Sequence, residues 1–426
     1  MNQAEQVPNT RILHTSDWHI GRTLYGRHRY AEFTAFFDWL YNTIVEHQVD
    51  ILLVAGDIFH TTTPSNKAQQ LYYDFLCRIA ASSCRHLVVT AGNHDSPTFL
   101  NAPRELLRVL HIHVLASLPA SLAEEVLVLK DQAGEPEAII CAVPFLRDRE
   151  IRTATAGQNM EDREQDLVQG IRQHYSKVCA AAEAKRTALS RAVPIIGMGH
   201  LFTAGGVEGD GERKLYVGSL GQVDANIFPP MLDYLALGHL HCPQKVGGNE
   251  TRRYSGAPLV MGFGEAEKQK SVCLIDFPAA DPTGPAASTP APAVNTLAVP
   301  VFQPIKRIQG NWDHIQTELA TLQLEGRAVW LEVIYQGEEL IADLRQRLDE
   351  AVAGTALEIL RVHNRRIIEQ ALHPVEAEET LADLQHEEVF TRCLDAHEIP
   401  AEQRPSLLAA YQEIALVLEQ DDPMAT

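Results

Sequence analysis

A chain of 426 residues is long for one domain and favours two or three. Its composition, 45% hydrophobic and 22% charged, is that of an ordinary soluble globular protein; no run of eighteen apolar residues could span a bilayer, and "MNQAEQVPNT" lacks the basic start and apolar core of a leader, so no membrane association and a cytoplasmic location are expected. The net charge of −20 argues against a generally basic nucleic-acid binder, but it is lopsided: residues 367–426 carry fourteen Asp/Glu against two Arg, which leaves −8 on the first 366 and room for a local cationic surface or for bound cations.

In chain order, "RILHTS" (11–16) reads as a strand and "EFTAFFDWLYNTIVEH" (32–47) as an amphipathic helix. "ILLVAG" (51–56) is a strand, "NKAQQLYYDFLCRIAAS" (66–82) a helix and "HLVVTAG" (86–92) a strand. Strands follow at 138–145, 194–199, 234–238 and 271–277, with a long polar helix over about 160–186. This alternation predicts a layered α/β domain over 1–277. Residues 278–293, "PAADPTGPAASTPAPA", hold five prolines and six alanines and read as a stiff linker. A smaller α/β unit is expected over 294–370, with strand "NTLAVPVF", helix 312–322, strand 328–335, helix 338–353 and strand 356–363. Residues 371–426 read as a helical pair, "ETLADLQHEEVFTRCLDAH" and "SLLAAYQEIALVLEQ", broken at "EIPAEQRP".

Five of the predicted strands end in the same way. "ILHTS" leads to Asp17-Trp18-His19, "ILLVAG" to Asp57-Ile58-Phe59-His60, "LVVTAG" to Asn93-His94-Asp95, "IIGMG" to His200, and "YLALG" to His239-Leu240-His241. A lone Gly-Asp after a strand is ordinarily a turn with an aspartate cap, and a lone Gly-His ordinarily places a structural histidine. Five such endings on one edge are a different matter, because the crevice outside the carboxyl ends of strands is where open α/β sheets bind ligands. Aspartate, asparagine and histidine without thiolate suit Mn²⁺, Fe²⁺ or Zn²⁺. The seven cysteines are scattered, never in a CxxC pair, and read as reduced thiols. The ligands are too many for one ion with an open position. Two ions sharing one carboxylate, Asp57, would use them well and would suit phosphoryl chemistry.

The order D-x-H, G-D-x-x-H, G-N-H-D, G-H and G-H-x-H resembles the calcineurin-like metallophosphoesterase superfamily. "RILHTSDWHIGR", "LLVAGDIFH", "LVVTAGNHDS", "LALGHLH" and "RRYSGAPLVMGFGE" (252–265) are more particular, and are similar to its DNA nuclease subunits that work with an SMC-like coiled-coil ATPase. The resemblance covers essentially the whole chain. It implies a layered metallophosphoesterase-type β-sandwich flanked by helices, a smaller α/β capping domain that shapes DNA access, and a C-terminal helical pair that binds the partner. It assigns one metal to Asp17, His19, Asp57 and His241 and the other to Asp57, Asn93, His200 and His239, with Mn²⁺ as the working ion. His94 matches the family's catalytic histidine, and His60 a second active-site position. Departures are the long linker at 278–293 and Ala257 where relatives often have serine.

The activities implied are 3′→5′ exonuclease on duplex DNA ends and endonuclease on single strands and hairpins, in repair, recombination and replication. Activated water would attack phosphorus in line and the 3′-oxygen would leave. ATP dependence would come through the partner, since the chain has no G-x-x-x-x-G-K-[ST] loop, in a heteromer holding two nuclease subunits. The alternative is a phosphatase or phosphodiesterase of the same superfamily acting on a small molecule or a phosphoprotein. Arg22, Arg27 and Arg29 (with Tyr25 and His28 among them), Arg147, Arg149 and Arg152, and Arg365-Arg366 are candidate phosphate contacts.

Overall fold

The computed structural model describes residues 10–151, 160–189, 192–203, 223–278, 291–364 (except 338, 340 and 342) and a few positions between 390 and 411. The chain divides into two units, Met1–Gln303 and Pro304–Thr426.

The first unit is a sandwich of two six-stranded sheets. One has the spatial order Ala293–Ala298, Ser271–Phe277, Thr10–Thr15, Ile51–Ala55, His86–Thr90, Ile112–Leu115. Its last four strands are parallel and its first two antiparallel. The other runs Gln244–Val246, Asn249–Tyr254, Tyr234–Gly238, Ile195–His200, Pro136–Ala142, Val126–Lys130, with its four central strands parallel. Parallel strands covered on both faces read as unbroken apolar runs, and "ILLVA" is one. Ile51, Leu53 and Ala55 enter the core between the sheets with Ile140, Ile196, Met198 and Ala236, whereas Leu52 and Val54 face the helical layer.

That outer layer is built by helices Tyr30–Glu46 and Asn66–Ala80. Phe33, Phe36, Phe37, Leu40 and Ile44 on the first, and Leu71, Phe75, Leu76 and Ile79 on the second, repeat at the spacing of one helix face. Ser65 caps the second helix by accepting from the Ala68 N–H at 3.2 Å. Trp18, fully buried, meets Phe36, Phe37 and Phe75 edge-on and anchors the first ligand loop to this layer. Helix Met160–Thr187 covers the second sheet through Leu167, Ile171, Tyr175, Val178 and Ala182.

The strand after the linker differs from expectation. Ala293–Ala298 pairs with Ser271–Phe277 as the edge of the first sheet instead of opening the second unit. Its alternating pattern fits a half-exposed edge as well as a domain's first strand, and only the long-range partner decides. The second unit opens on Ile305–Gly310, whose "IKRIQG" is too polar to stand out. It continues through helix Trp312–Glu325, strand Val329–Tyr335, helix Leu344–Val352 and strand Leu357–Asn364, all three strands parallel with Val329–Tyr335 central. The second helix begins at Leu344, later than expected, and before it the Tyr335 hydroxyl donates to the Glu339 carbonyl at 2.8 Å. Most of the linker and most of the expected helical pair lie outside the described residues. The described tail positions are helical, and Phe390 stacks on Tyr411 at 4.2 Å between ring centroids.

Candidate metal centre

All five ligand motifs fall at the carboxyl ends of the central strands of the two sheets. Backbone hydrogen bonds lace the first two loops together: Asp17 N–H to Gly56 O (3.1 Å), His19 N–H to Asp57 O (2.9 Å) and Ile20 N–H to Ile58 O (2.9 Å). Asp17, His19, Asp57 and His239 have φ of 52°, 48°, 47° and 104°, in the region L-residues avoid. Such strain persists where surrounding structure imposes it, and here it turns each side chain into the crevice. Gly56 has φ +84°, and a Cβ there would lie 2.0 Å from His200 Nδ1; a Cβ on Gly92 would lie 2.1 Å from Asp57 Oδ1. Glycine therefore lets the loops close around the ligand atoms.

Among the described residues, three groups of donor atoms lie within metal-ligand reach: Asp17, His19 and His241; Asp17, Asp57 and His200; and His19, His60 and His94. Asp57 Oδ2 stands 3.5 Å from His19 Nε2 and 3.4 Å from His200 Nε2. His19 Nε2 is 3.1 Å from His241 Nε2, and His200 Nε2 is 2.9 Å from Asn93 Oδ1. Ligand bonds of about 2.0–2.2 Å at right angles put donors roughly 3 Å apart, so these separations suit a shared cation. His239 approaches through its ring, 5.4 Å from that of His200, and its N–H donates to Asp17 Oδ1 at 2.9 Å.

The electrostatics ask for cations. Asp17 and Asp57 are buried, and among the described residues no lysine or arginine pairs with either; their charged neighbours are histidines. Burial pushes Asp17 up to about 8. Burial acts on Asp57 in the same sense, but His200, His94 and His19 outweigh it and hold it well below the usual carboxylate range. On His200, burial disfavours the charge, yet Asp57 and Asp17 prevail and raise it to about 9. Burial drives His239 down to about 3 and His19 well below its ordinary value. Without metal, the cluster shares protons among groups that a divalent ion would deprotonate. Donor chemistry, spacing and uncompensated carboxylates all fit such an ion.

His94 is buried beside this cluster, its ring 4.7 Å from that of His19. Its Nδ1–H donates to the His60 carbonyl at 2.9 Å, and its backbone N–H donates to Asp57 Oδ1 at 2.9 Å. His60, half-buried, reaches His19 with Nδ1 at 3.5 Å.

Three neighbours that lie inside the motifs but are not assigned as ligands brace the site. Asp95 is spent on backbone, accepting from Ile58 N–H (3.1 Å), Phe59 N–H (2.9 Å) and Gly92 N–H (2.8 Å), so it locks two ligand loops together. Ser16 donates to Asp17 Oδ2 at 2.5 Å and meets the Ser255 hydroxyl at 2.8 Å. Ser255 belongs to the "SGAP" turn and is 239 residues away in sequence, a separation no local pattern reveals.

The candidate phosphate contacts divide. Arg29 is buried, bidentate to Glu32 (2.8 and 2.7 Å) and bonded to Val260 O, so it is a structural residue and not a phosphate contact. Arg22 donates to Met261 O at 2.9 Å. Arg27 and His28 lie on an exposed hairpin strand beside Tyr25, which stacks on Phe263. Arg147 donates to the Asp95 carbonyl at 3.4 Å, beside the cluster. The side chain of Arg149, and Arg152, Arg365 and Arg366 altogether, lie outside the described residues.

A sandwich with helices outside, parallel strands within and a histidine–carboxylate crevice at their carboxyl ends is the arrangement of a metal-dependent phosphoesterase. Residues 10–243 match the calcineurin-like phosphoesterase family, to which the chain belongs and whose members use divalent metals; residues 301–398 match the type 5 capsule protein repressor C-terminal domain. The SbcD component of the SbcCD nuclease of Escherichia coli (strain K12) is 37% identical over 399 residues, 93% of this chain and 96% of that one. The proteins of the same name from Rhodobacter capsulatus and Bacillus subtilis are 40% and 36% identical over 63% and 62% of this chain, and 66% of each of theirs. Within the phosphoesterases, the chain therefore belongs to the SbcD nuclease family.

Proposed function

We propose that this metal-dependent nuclease works through two divalent cations, with Mn²⁺ as the working ion, to hydrolyse phosphodiester bonds of DNA. One ion is held by Asp17, His19, Asp57 and His241, the other by Asp57, Asn93, His200 and His239. The observation that carries this is Asp57 Oδ2, which faces His19 Nε2 at 3.5 Å and His200 Nε2 at 3.4 Å, one from each ligand set. Bound there, divalent cations supply Lewis-acid activation of water and of a phosphoryl oxygen. The chain's own residues orient and exchange protons. Asp17 is held by Ser16 and the His239 backbone N–H, and His94, its ring 4.7 Å from that of His19, is the group that stabilises developing charge or protonates the leaving 3′-oxygen. His60 seats His94 through its carbonyl and stacks on its ring.

By likeness to its relatives, the protein acts in the cytoplasm as a 3′→5′ exonuclease on duplex ends and an endonuclease on single strands and hairpins. ATP would be used through an SbcC-type SMC-like ATPase, in a heteromer with two nuclease subunits. The smaller α/β unit, expected over 294–370, would shape DNA access, and the acidic tail over 371–426 would clasp the partner. Supporting a partner role for the tail are its apolar residues at helical spacing and its acidity, which repels DNA and suits a basic protein surface.

The test compares a hairpin duplex with a small chromogenic phosphodiester, with Mn²⁺ and with and without the ATPase and ATP. Cleavage of the hairpin, enhanced by partner and ATP, is expected. Turnover of the chromogenic substrate alone would favour a small-molecule phosphodiesterase. Truncation after Ala371 should leave a folded, metal-loaded protein that no longer co-purifies with the ATPase; retained co-purification would place the interface elsewhere.

A further inference from the structure

Lys270 stands just before Ser271–Phe277, in the first sheet, yet its side chain serves a loop of the second. It is 5% exposed and its partner Glu265 0%. The Lys270 ammonium donates to Glu265 Oε2 at 2.6 Å and to the backbone carbonyl of His241 at 2.8 Å. The same carbonyl accepts from Ala257 N–H at 3.1 Å, and the same Glu265 oxygen from Met261 N–H at 2.9 Å. From the other side, Arg22 Nη2 and Arg29 Nη1, which follow the Asp17–His19 loop, donate to the carbonyls of Met261 (2.9 Å) and Val260 (2.6 Å). The segment from Val260 to Lys270 is thus tied on one flank to the loop carrying Asp17 and His19, and on the other to the loop carrying His239 and His241.

A buried ion pair is a poor device for stability alone. Desolvating two charges is costly, and apolar replacements of similar volume are often neutral or stabilising. What this pair accomplishes that an apolar pair could not is to aim a charged donor at the carbonyl of His241. Fixing that carbonyl fixes the peptide from which the imidazole projects, 3.1 Å from His19 Nε2. Groups that orient ligands in this way are commonly worth 10- to 100-fold in metal affinity.

We propose that Lys270, seated by Glu265, is a positioning residue that holds His241 against His19 and so couples the second sheet's share of the metal centre to the first's. The inference rests on the two-cation reading above. Its test is a Mn²⁺ titration of the apo-protein followed by electron paramagnetic resonance, with thermal melting of the same apo samples. The proteins compared are wild type, Lys270→Met with Glu265→Gln, which keeps an acceptor for the Met261 N–H, and Lys270→Gln in case the double variant does not fold. The expected result is one Mn²⁺ weakened about 10- to 100-fold and the other bound as in wild type, with the apo melting temperature little changed. Two ions bound with wild-type affinity would overturn the proposal. So would equal weakening of both ions with a lower apo melting temperature, which is what a merely structural pair would give. Wild-type protein binding a single Mn²⁺ would instead overturn the two-cation reading.

Discussion

The two ends of the sandwich both bury histidines and carboxylates, but they settle their charges in opposite ways. At the end away from the ligand loops, Arg85 reaches Asp50 Oδ1 at 2.6 Å and also pairs with Glu137. His86 donates to the Lys130 carbonyl at 2.8 Å, and burial lowers the pKa of His86 and that of His113, the latter to about 4. These carboxylates meet their counter-charge within the chain. At the ligand end, Asp17 and Asp57 are equally buried and have only histidines for charged partners among the described residues, on loops whose backbone is forced to positive φ. One end is closed electrostatically; the other is completed by a cation from outside. Buried titratable groups mark a functional site when the chain itself leaves them uncompensated.

The largest effect should come from breaking the open end at its centre. Asp57→Asn should reduce nuclease activity to background and lower metal content by elemental analysis, because a neutral amide bridges two dications poorly. Two bound metals and normal cleavage in that variant would end the bridging assignment. His94→Gln should lower kcat by about 10²–10⁴-fold while metal content and DNA binding persist. Loss of metal would make His94 a ligand.

A subtler test exploits the protons that replace missing cations. Asp17 at about 8 and His200 at about 9 are both raised, so at pH 7 each holds a proton that a metal must displace. Metal affinity should therefore rise with pH and level off above about 9, by up to about tenfold per pH unit for each proton released. Calorimetric titrations in two buffers of different ionisation enthalpy would count those protons, and affinity flat from pH 7 to 9 would contradict the scheme. At the closed end the expected effect is on stability alone. Arg85→Met leaves Glu137 buried without its cation and should destabilise the protein by about 2 kcal/mol in urea unfolding, Arg85 being partly exposed. Metal content and activity per folded molecule should be unchanged; a drop in either would show that the two ends are coupled.

Much of the open end was legible because its signal is local. An apolar run that stops at glycine and passes at once to Asp, Asn or His can be seen in a dozen residues, and the structure gathers the side chains of those runs into one crevice. The closed end left no such mark: Arg85 and Glu137 are 52 residues apart and each alone looks like surface charge. Arg29 is of the same kind: Glu32 lies only three residues on, but the Val260 carbonyl to which it also donates is 231 residues away. The second unit is legible as strands and helices, yet its first strand, "IKRIQG", is too polar to stand out beside the more apolar "NTLAVPVF".

The alternation of the central strands with helices along the first 277 residues and the ligand types at the strand ends were determined by sequence alone, because helix and strand periodicity and glycine-terminated strands are properties of neighbouring residues; the outer strands Ile112–Leu115, Val126–Lys130, Gln244–Val246 and Asn249–Tyr254 left no such mark. Tertiary structure decided which sheet received strand Ala293–Ala298, which arginines are structural, and that Asp95, Ser255 and Lys270 hold the ligand loops in place. Those outcomes depend on hydrogen bonds and burial between residues brought together only when the two sheets close on each other. Such contacts follow from packing, and no window of sequence contains them.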